Sequence, residues 1–376
     1  MGQIYTERKE SGNDKLPILT VSIHTGVSDG ALDETELGKR VKRSEDKSTY
    51  KIARKNDLVF NMMRAWQGAI GTVRTTGMVS PAYIVAYPND LVEPIFMDYL
   101  VKCKQMIDSI HRLSYGVTDF RLRLYWDSFV EIPINVPSLE EQNKIASFLT
   151  LLDKRIAKQR ELVENLKSYK RGVLSAIFSR KIRFRDKDGN PFPEWIKCTI
   201  GQVFSERCER AIGNEDLLAV TINSGIIKRD EIELKDNSSE DKSNYKRVCV
   251  DDIAYNTMRM WQGASGVSAY HGIVSPAYTV IYAAEPHKTD IRFWGYYFKT
   301  YRLICEFQRY SQGLTSDTWN LKYPQLADIE VYRPCLDEQK RIADFLENLE
   351  TKMLESEQFL EKLSVHRTEL LRSMFI

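Results

Sequence analysis

The spacing of apolar positions changes several times along the chain, and each change marks an element. Residues 17–27, 58–62, 69–74 and 78–87 are short apolar runs bounded by Gly, Asn, Asp and Pro, the pattern of strands closed by turns. Over residues 94–113 the period lengthens: Phe96, Tyr99, Leu100, Cys103, Ile107 and Ile110 share one helical face, and Pro94 stands where a helix N-terminus tolerates it. Beyond Pro137 the texture changes again. Ser138 to Glu141 read as a capping box, and the next forty residues hold no proline and one glycine, Gly172. There Ile145, Leu149, Leu152, Ile156, Val163, Leu166, Val173 and Ile177 step by fours and threes, with Gln159 and Lys170 as polar interruptions. That is a coiled-coil seam on one long helix.

The same succession occurs twice. Asn61-Met-Met-Arg-Ala-Trp-Gln-Gly-Ala-Ile-Gly71 returns as Asn256-Thr-Met-Arg-Met-Trp-Gln-Gly-Ala-Ser-Gly266, and Val79-Ser-Pro-Ala-Tyr83 as Val274-Ser-Pro-Ala-Tyr278, both 195 positions on. Leu139-Glu-Glu-Gln142 returns as Leu336-Asp-Glu-Gln339 at 197. The helical pattern of 94–113 recurs between Asp290 and Gln312, and the seam recurs as Ile342, Leu346, Leu349, Met353, Leu360, Leu363 and Leu370, with Ser356 matching Gln159. A repeat of this length buries its own core, so it is a domain pair and not a solenoid unit. The expected fold class is α+β, with two tandem domains related by a pseudo-twofold, at residues 1–136 and 183–334. Each is followed by a long helix, at 137–182 and 335–376. Gly2-Gln-Ile-Tyr5 aligns with Gly201-Gln-Val-Phe204. The second copy is preceded by Phe192-Pro-Glu-Trp195 and a strand-like run at 196–200, for which the first has no counterpart. The opening strand of the first domain is therefore expected to be missing or supplied differently.

Residues 153–188 carry twelve Lys or Arg against five Asp or Glu, while residues 337–372 carry six against nine. Opposite charge, equal length and matching seams favour antiparallel packing of the two helices on each other, a rod of roughly 60 Å at about 1.5 Å per residue. The alternative is two unrelated surface helices, each docked on its own domain.

Composition narrows the function. The 43% hydrophobic and 28% charged residues place the chain among soluble globular proteins, with no run approaching a membrane span. Lys plus Arg (54) against Asp plus Glu (52) leaves +2, so a polyanion site has to be a local concentration of charge. The six cysteines lack any Cys-x-x-Cys pair, which points to reduced cytosolic thiols and a cytoplasmic location. The five histidines, His24, His111, His271, His287 and His366, have no ligand spacing for zinc.

Three segments carry candidate chemistry. Arg64, Trp66, Gln67 and Gly68, repeated as Arg259, Trp261, Gln262 and Gly263, combine a guanidinium, an indole and a carboxamide. Arg matches guanine O6 and N7, Gln matches adenine N6 and N7, and glycine lets backbone approach phosphate. A tight hairpin with Trp in the core and Arg stacked over it fits the same residues. Tyr83 and Tyr278, in the neighbouring strand-like runs, are expected among the DNA-binding residues. The second segment is Gly116, Thr118, Arg121 and Arg123, aligned with Gly313, Thr315, Thr318 and Asn320. A Gly-x-Thr turn can hold a phosphate, and the divergent residues after it would read different bases; a plain connecting loop fits as well. Third, Lys39, Arg40, Lys42, Arg43, Lys47, Lys51, Arg54 and Lys55, with Lys228, Arg229, Lys242, Lys246 and Arg247 in the second copy, are either phosphate contacts or a solvated face diluted by Asp46 and Asp241.

No catalytic signature accompanies them. Asn190-Pro-Phe-Pro193 lacks the second proline of an adenine methyltransferase loop and reads as a turn, and no Gly-x4-Gly-Lys-Ser/Thr phosphate loop, Gly-x-Ser-x-Gly or His-Glu-x-x-His occurs. Asp216 with Glu233-Leu-Lys235 superficially fits a metal-dependent nuclease, but the first copy has no equivalent.

Two such domains, each followed by a helix opening on Leu-x-Glu-Gln and Ile-Ala-x-Phe-Leu, resemble the specificity (S) subunit of type I restriction-modification enzymes. The residues are Leu139, Glu141, Gln142, Ile145, Ala146, Phe148 and Leu149, then Leu336, Glu338, Gln339, Ile342, Ala343, Phe345 and Leu346. The resemblance implies a non-catalytic reader of double-stranded DNA. Each target recognition domain binds one half of an interrupted site, and the paired helices fix the gap, with half-site centres roughly 34 Å apart. It implies two modification (methyltransferase) subunits and restriction (translocase and nuclease) subunits as partners, and S-adenosylmethionine, ATP and Mg as those partners' ligands. It implies no cofactor, metal or membrane contact for this chain. The competing expectation is a stand-alone nucleic-acid-binding or scaffold protein that dimerises through its coiled coil.

Overall fold

The strand at Leu58–Asn61 is apolar on both faces because both faces are covered, and its alternation sends successive residues into different cores. Leu58 and Phe60 belong to one cluster with Phe96, Ile110 and Phe129, while Val59 belongs to another with Leu19, Val79 and Val85. The arrangement repeats at Ile253–Asn256, where Ile253 and Tyr255 face the helical core and Ala254 the smaller one. The computed structural model describes residues 1–12, 15–23, 25–28, 48–118, 121–212, 215–222, 224–231, 241–315 and 317–375. His24, the basic residues at 39–47 and the Glu233 to Lys235 triplet lie outside them. The chain divides into two units, Met1–Glu161 with Glu357–Ile376, and Leu162–Ser356.

In the first unit the strands are β1 (Tyr5–Glu7), β2 (Val21–Ser22), β3 (Gly26–Val27), β4 (Lys51–Ala53), β5 (Leu58–Asn61), β6 (Ile70–Thr72), β7 (Gly77–Val79) and β8 (Tyr83–Pro88). An antiparallel sheet runs β1-β8-β5-β6, with Tyr5 opposite Pro88 and Asn61 opposite Tyr83; β2-β3 and β4-β7 are separate pairs. Three helices follow: α1 (Pro94–Leu100), α2 (Lys104–Leu113) and α3 (Trp126–Val130). Residues 94–113, expected as one helix, are thus two. Lys102 N–H bonds Tyr99 O (3.2 Å) and Cys103 N–H bonds Leu100 O (3.1 Å), which tightens the last turn, and extended Cys103 begins the second helix. Apolar spacing records a shared face, and both pieces turn that face to one core. Residues 78–87, expected as one strand, split at Ser80 to Ala82 into β7 and β8.

The long helix α4 (Leu139–Phe178) begins in this unit. Ser138 Oγ accepts the Glu141 N–H at 3.3 Å; Leu149 and Ile156 are buried and Leu152 half-buried, while Leu151, Lys154 and Arg155 face solvent. In the second unit the strands are β9 (Ile196–Thr199), β10 (Phe204–Glu206), β11 (Leu218–Thr221), β12 (Gly225–Lys228), β13 (Lys246–Val248), β14 (Ile253–Asn256), β15 (Ser265–Val267), β16 (Gly272–Val274) and β17 (Tyr278–Ala283). After them come α5 (Ile291–Phe298), α6 (Tyr301–Tyr310), α7 (Tyr323–Ala327), β18 (Glu330–Arg333) and α8 (Leu336–Met374). Order β10-β17-β14-β15 repeats that of the first sheet, and β9 pairs with β18.

The helices α4 and α8 run antiparallel in each unit. In the first, Arg367 donates to Asp153 at 2.5 Å and Arg155 lies 5.6 Å from the Phe359 ring; in the second, Lys170 bonds Glu350 at 2.5 Å and Arg183 bonds Glu338. Ion pairs of both polarities occur, so the shared seam, more than the difference in net charge, holds the pair.

Candidate nucleic-acid interface

In both units the chain leaves the central strand through one and the same turn. Asn61 O accepts the Arg64 N–H (3.0 Å), Arg64 O accepts Gln67 (3.0 Å) and Ala69 (3.1 Å), and the Asn61 side chain caps Met63 N–H (3.0 Å). In the second unit Arg259 bonds Asn256 O (3.1 Å), Gln262 and Ala264 bond Arg259 O (2.9 and 3.2 Å), and Met258 bonds Asn256 Oδ1 (3.0 Å). Each turn closes on a left-handed glycine, Gly68 at φ 101° and Gly263 at φ 83°, which a β-carbon would strain. The indoles are half-buried and donate to their own turns, Trp66 to Met63 O and Trp261 to Met258 O, both at 3.1 Å. The buried residue of each turn is Ala65 or Met260, while Arg64 and Arg259 are exposed.

Three sequence segments meet at this turn. Tyr83 and Tyr278 stand opposite Asn61 and Asn256 across the sheet, and burial holds the Tyr83 hydroxyl above its ordinary pKa. The Gly-x-Thr loops are pinched at the base, where Tyr115 and Arg123 exchange backbone bonds (3.1 and 3.0 Å), as do Gln312 and Asn320 (3.0 and 2.8 Å). Leu124 N–H then bonds Met62 O (2.8 Å) and Leu321 N–H bonds Thr257 O (2.9 Å), which ties each loop to the Arg-x-Trp-Gln turn. The fold of the loop demands its glycine: a β-carbon on Gly116 would lie 2.2 Å from Arg121 O.

Around this common frame the side chains differ. Thr118, Arg121 and Arg123 are exposed in the first unit. In the second, Thr318 Oγ1 donates to Thr315 O (2.9 Å), Thr315 N–H bonds Thr318 Oγ1 (3.1 Å), and Asn320 is half-buried. The Thr315 and Thr318 bonds brace the turn itself. Trp66 packs on His111 at 5.4 Å, whereas Trp261 meets Trp319 edge-on at 5.2 Å.

Sequence reasoning missed several neighbours. Lys299, just before α6, donates to Gly263 O (2.5 Å) and Ile222 O (3.1 Å), and burial pulls its pKa down to about 8. In the first unit Lys102, Lys104, Arg367 and Arg372 line a cleft beside Gln67 and Gly68. No motif marks these residues, since they are helix positions brought to the turn by packing. The described members of the basic stretch are largely engaged elsewhere: Lys51 bonds Tyr83 O (2.9 Å), Arg54 pairs with Glu10 (2.7 Å) and Lys228 with Asp216 (2.8 Å).

Among the described residues no three His, Cys, Asp or Glu are grouped to hold a metal ion, and no helix is long and apolar enough to cross a membrane. The geometry defines a two-module protein, each module presenting an exposed arginine on its Arg-x-Trp-Gln turn and a variable loop beside paired long helices. The family model described as the Type I restriction modification DNA specificity domain matches residues 2–167, and the second half repeats the first in sequence and topology. Residues 2–167 are thus similar to the DNA specificity domain of type I restriction-modification systems.

Solved structures share the fold over the full length. The HsdS subunit from Thermoanaerobacter tengcongensis is 15% identical, with all of this chain and 95% of that one covered at a TM-score of 0.54. The S subunit of the type I system from M. genitalium is 14% identical, with 100% and 94% covered at 0.52. A chain from a structure of type I system assembly and conformational transition is 16% identical, with 100% and 96% covered at 0.51. No curated protein matches the chain.

Proposed function

We propose that each unit reads one half of an interrupted double-stranded DNA site, and that the paired helices set the length of the gap. The observation that carries this is the same backbone turn in both units, with its arginine exposed, beside a loop whose side chains have diverged. The common turn supplies Arg64 and Gln67, or Arg259 and Gln262, for base edges. The loop supplies Arg121 and Arg123 on one side and Thr318 and Asn320 on the other, so the half-sites differ where the loops do. Lys102, Lys104 and Arg372 are placed to meet phosphates, contacts that position without specifying. Two modification subunits and the restriction subunits bring the catalysts, with S-adenosylmethionine, ATP and Mg as their ligands, and the complex works in the cytoplasm. The six free thiols agree with a reducing compartment.

Lengthening the ruler tests the reading. Four residues inserted after Arg160 in α4, with four in α8 at the facing position, leave both recognition surfaces untouched. Methylation sequencing of host DNA should then show unchanged half-sites across a longer gap. Altered half-sites with an unaltered gap overturn the proposal.

A further inference from the structure

Lys102 and Lys299 hold the same place in the two repeats, between the paired domain helices and beside the Arg-x-Trp-Gln turn, yet their surroundings differ. In the first unit Lys102 lies 3.1 Å from Asp98, a buried carboxylate that also takes the Thr72 N–H (2.8 Å) and Arg74 (2.9 Å). The second copy has Gly295, Val267 and Ala269 in the places of Asp98, Thr72 and Arg74. A β-carbon on Gly295 would lie 2.8 Å from Val267 Cγ2, so the valine fills the space from which a carboxylate would reach. The lysine is kept and its anion is gone.

Backbone holds Lys299 instead. The half-buried side chain donates to Gly263 O (2.5 Å) and Ile222 O (3.1 Å), and among the described residues no carboxylate pairs with it. Two of its three N–H groups are thus placed, and the third has no acceptor among the described residues. Carbonyl oxygens cannot neutralise a cation drawn out of water, and burial alone brings its pKa down to about 8. Ile222 is 47% exposed, so the uncompensated charge lies at the rim of the turn that carries Arg259 and Gln262. Neighbouring cations do not share the place. Lys104 and Arg372, which line the cleft of the first unit with Lys102, correspond to Tyr301 and Ser175, and Lys170, in the place of Arg367, is bonded to Glu350.

We propose that Lys299 binds a single backbone phosphate of the second half-site, and that this phosphate supplies the anion the second copy has lost. This rests on the reading of the second unit as a DNA reader and assigns where the backbone crosses it. A partly desolvated ammonium without a counter-ion gains more from a phosphate than a fully hydrated lysine does. Because the same ammonium grips Gly263 O, the phosphate is registered against the turn, and the base edges with it.

The test uses the full chain and a labelled duplex bearing the site found by methylation sequencing, with neutral methylphosphonate linkages placed one at a time along each half-site. One linkage in the second half-site should weaken binding by the parent roughly tenfold, and should cost Lys299→Met, already weakened to the same extent, no more. The salt slope of Lys299→Met should be shallower by about 0.9, and Lys299→Arg, which keeps the charge, should retain both the slope and the sensitivity to that linkage. A Lys299→Met loss that simply adds to the loss at every linkage, as a structural clip would give, or a slope that the substitution leaves unchanged, would overturn the proposal and leave the DNA reading standing. A parent chain that binds its own site no better than a scrambled duplex overturns both.

Discussion

Gln142, in the first turn of α4, accepts the Glu93 backbone N–H at 2.9 Å while its amide donates to Leu91 O (3.1 Å) and Pro137 O (2.9 Å), and it is fully buried. Gln339 does the same with Asp290 N–H (2.9 Å), Lys288 O (3.0 Å) and Pro334 O (2.9 Å). This gives the Leu-x-Glu-Gln signature a physical meaning, because one carboxamide clips the start of the long helix to the start of the domain helices. Gln142→Ala leaves a buried N–H and two carbonyls without partners and should cost roughly 1–3 kcal/mol in chemical denaturation. Gln142→Glu should do no better, since a carboxylate cannot donate to the two carbonyls.

Arg8 grips Asp57 with two bonds (2.7 and 3.0 Å) beneath the Tyr87 ring, and Arg207 grips Asp252 (2.6 and 2.9 Å) beneath Tyr282. Both carboxylates are nearly inaccessible to solvent. Asp57→Ala leaves a guanidinium with its buried partner gone, and the expected loss is roughly 3–5 kcal/mol in a denaturant titration. High salt should recover little of it, in contrast to an exposed ion pair.

Arg259→Ala removes an exposed side chain from a turn held by backbone bonds, so its thermal midpoint should match that of the parent. If Arg259 reads a base, methylation sequencing will show one relaxed position in one half-site, at a discrimination of about 1–3 kcal/mol, and an unchanged second half. Equal loss at both halves would mean that Arg259 does not read bases.

The Lys299 ammonium is held well below the ordinary lysine range by burial, at about 8. Between that value and the unfolded one the folded state binds fewer protons, so this group's contribution to stability rises with pH there and is constant below about 8. The midpoint of the parent relative to Lys299→Met should be flat from pH 6 to pH 8 and climb above it, as read by calorimetry.

Much of this was legible in the residues. The duplication, the two long helices and the β-rich domains follow from period and spacing, because an apolar face must be covered wherever it occurs. The break at Cys103 was not legible, since Tyr99 and Ile107 lie on one face whether or not the backbone turns between them. Nor was the neighbourhood of the Arg-x-Trp-Gln turn. Lys299 and Trp319 reach Gly263 and Trp261 only through tertiary packing, and in isolation a lysine before a helix or a tryptophan in a loop carries no such signal. The Arg8 and Asp57 pair was also hidden, because 49 residues separate its members, although both recur in the second copy as Arg207 and Asp252.

The first unit takes residues 357–375 as part of its own body, and Phe375 lies against Phe96 at a ring separation of 5.5 Å. A ribosome making this protein releases the segment of α8 that the first unit requires only after the whole of the second unit has been made. Unlike chains whose leading domain matures while the rest is still being made, this one must keep its leading half unfinished, with apolar surface around Phe96 and Ile145 in need of protection, until residues 357–375 emerge.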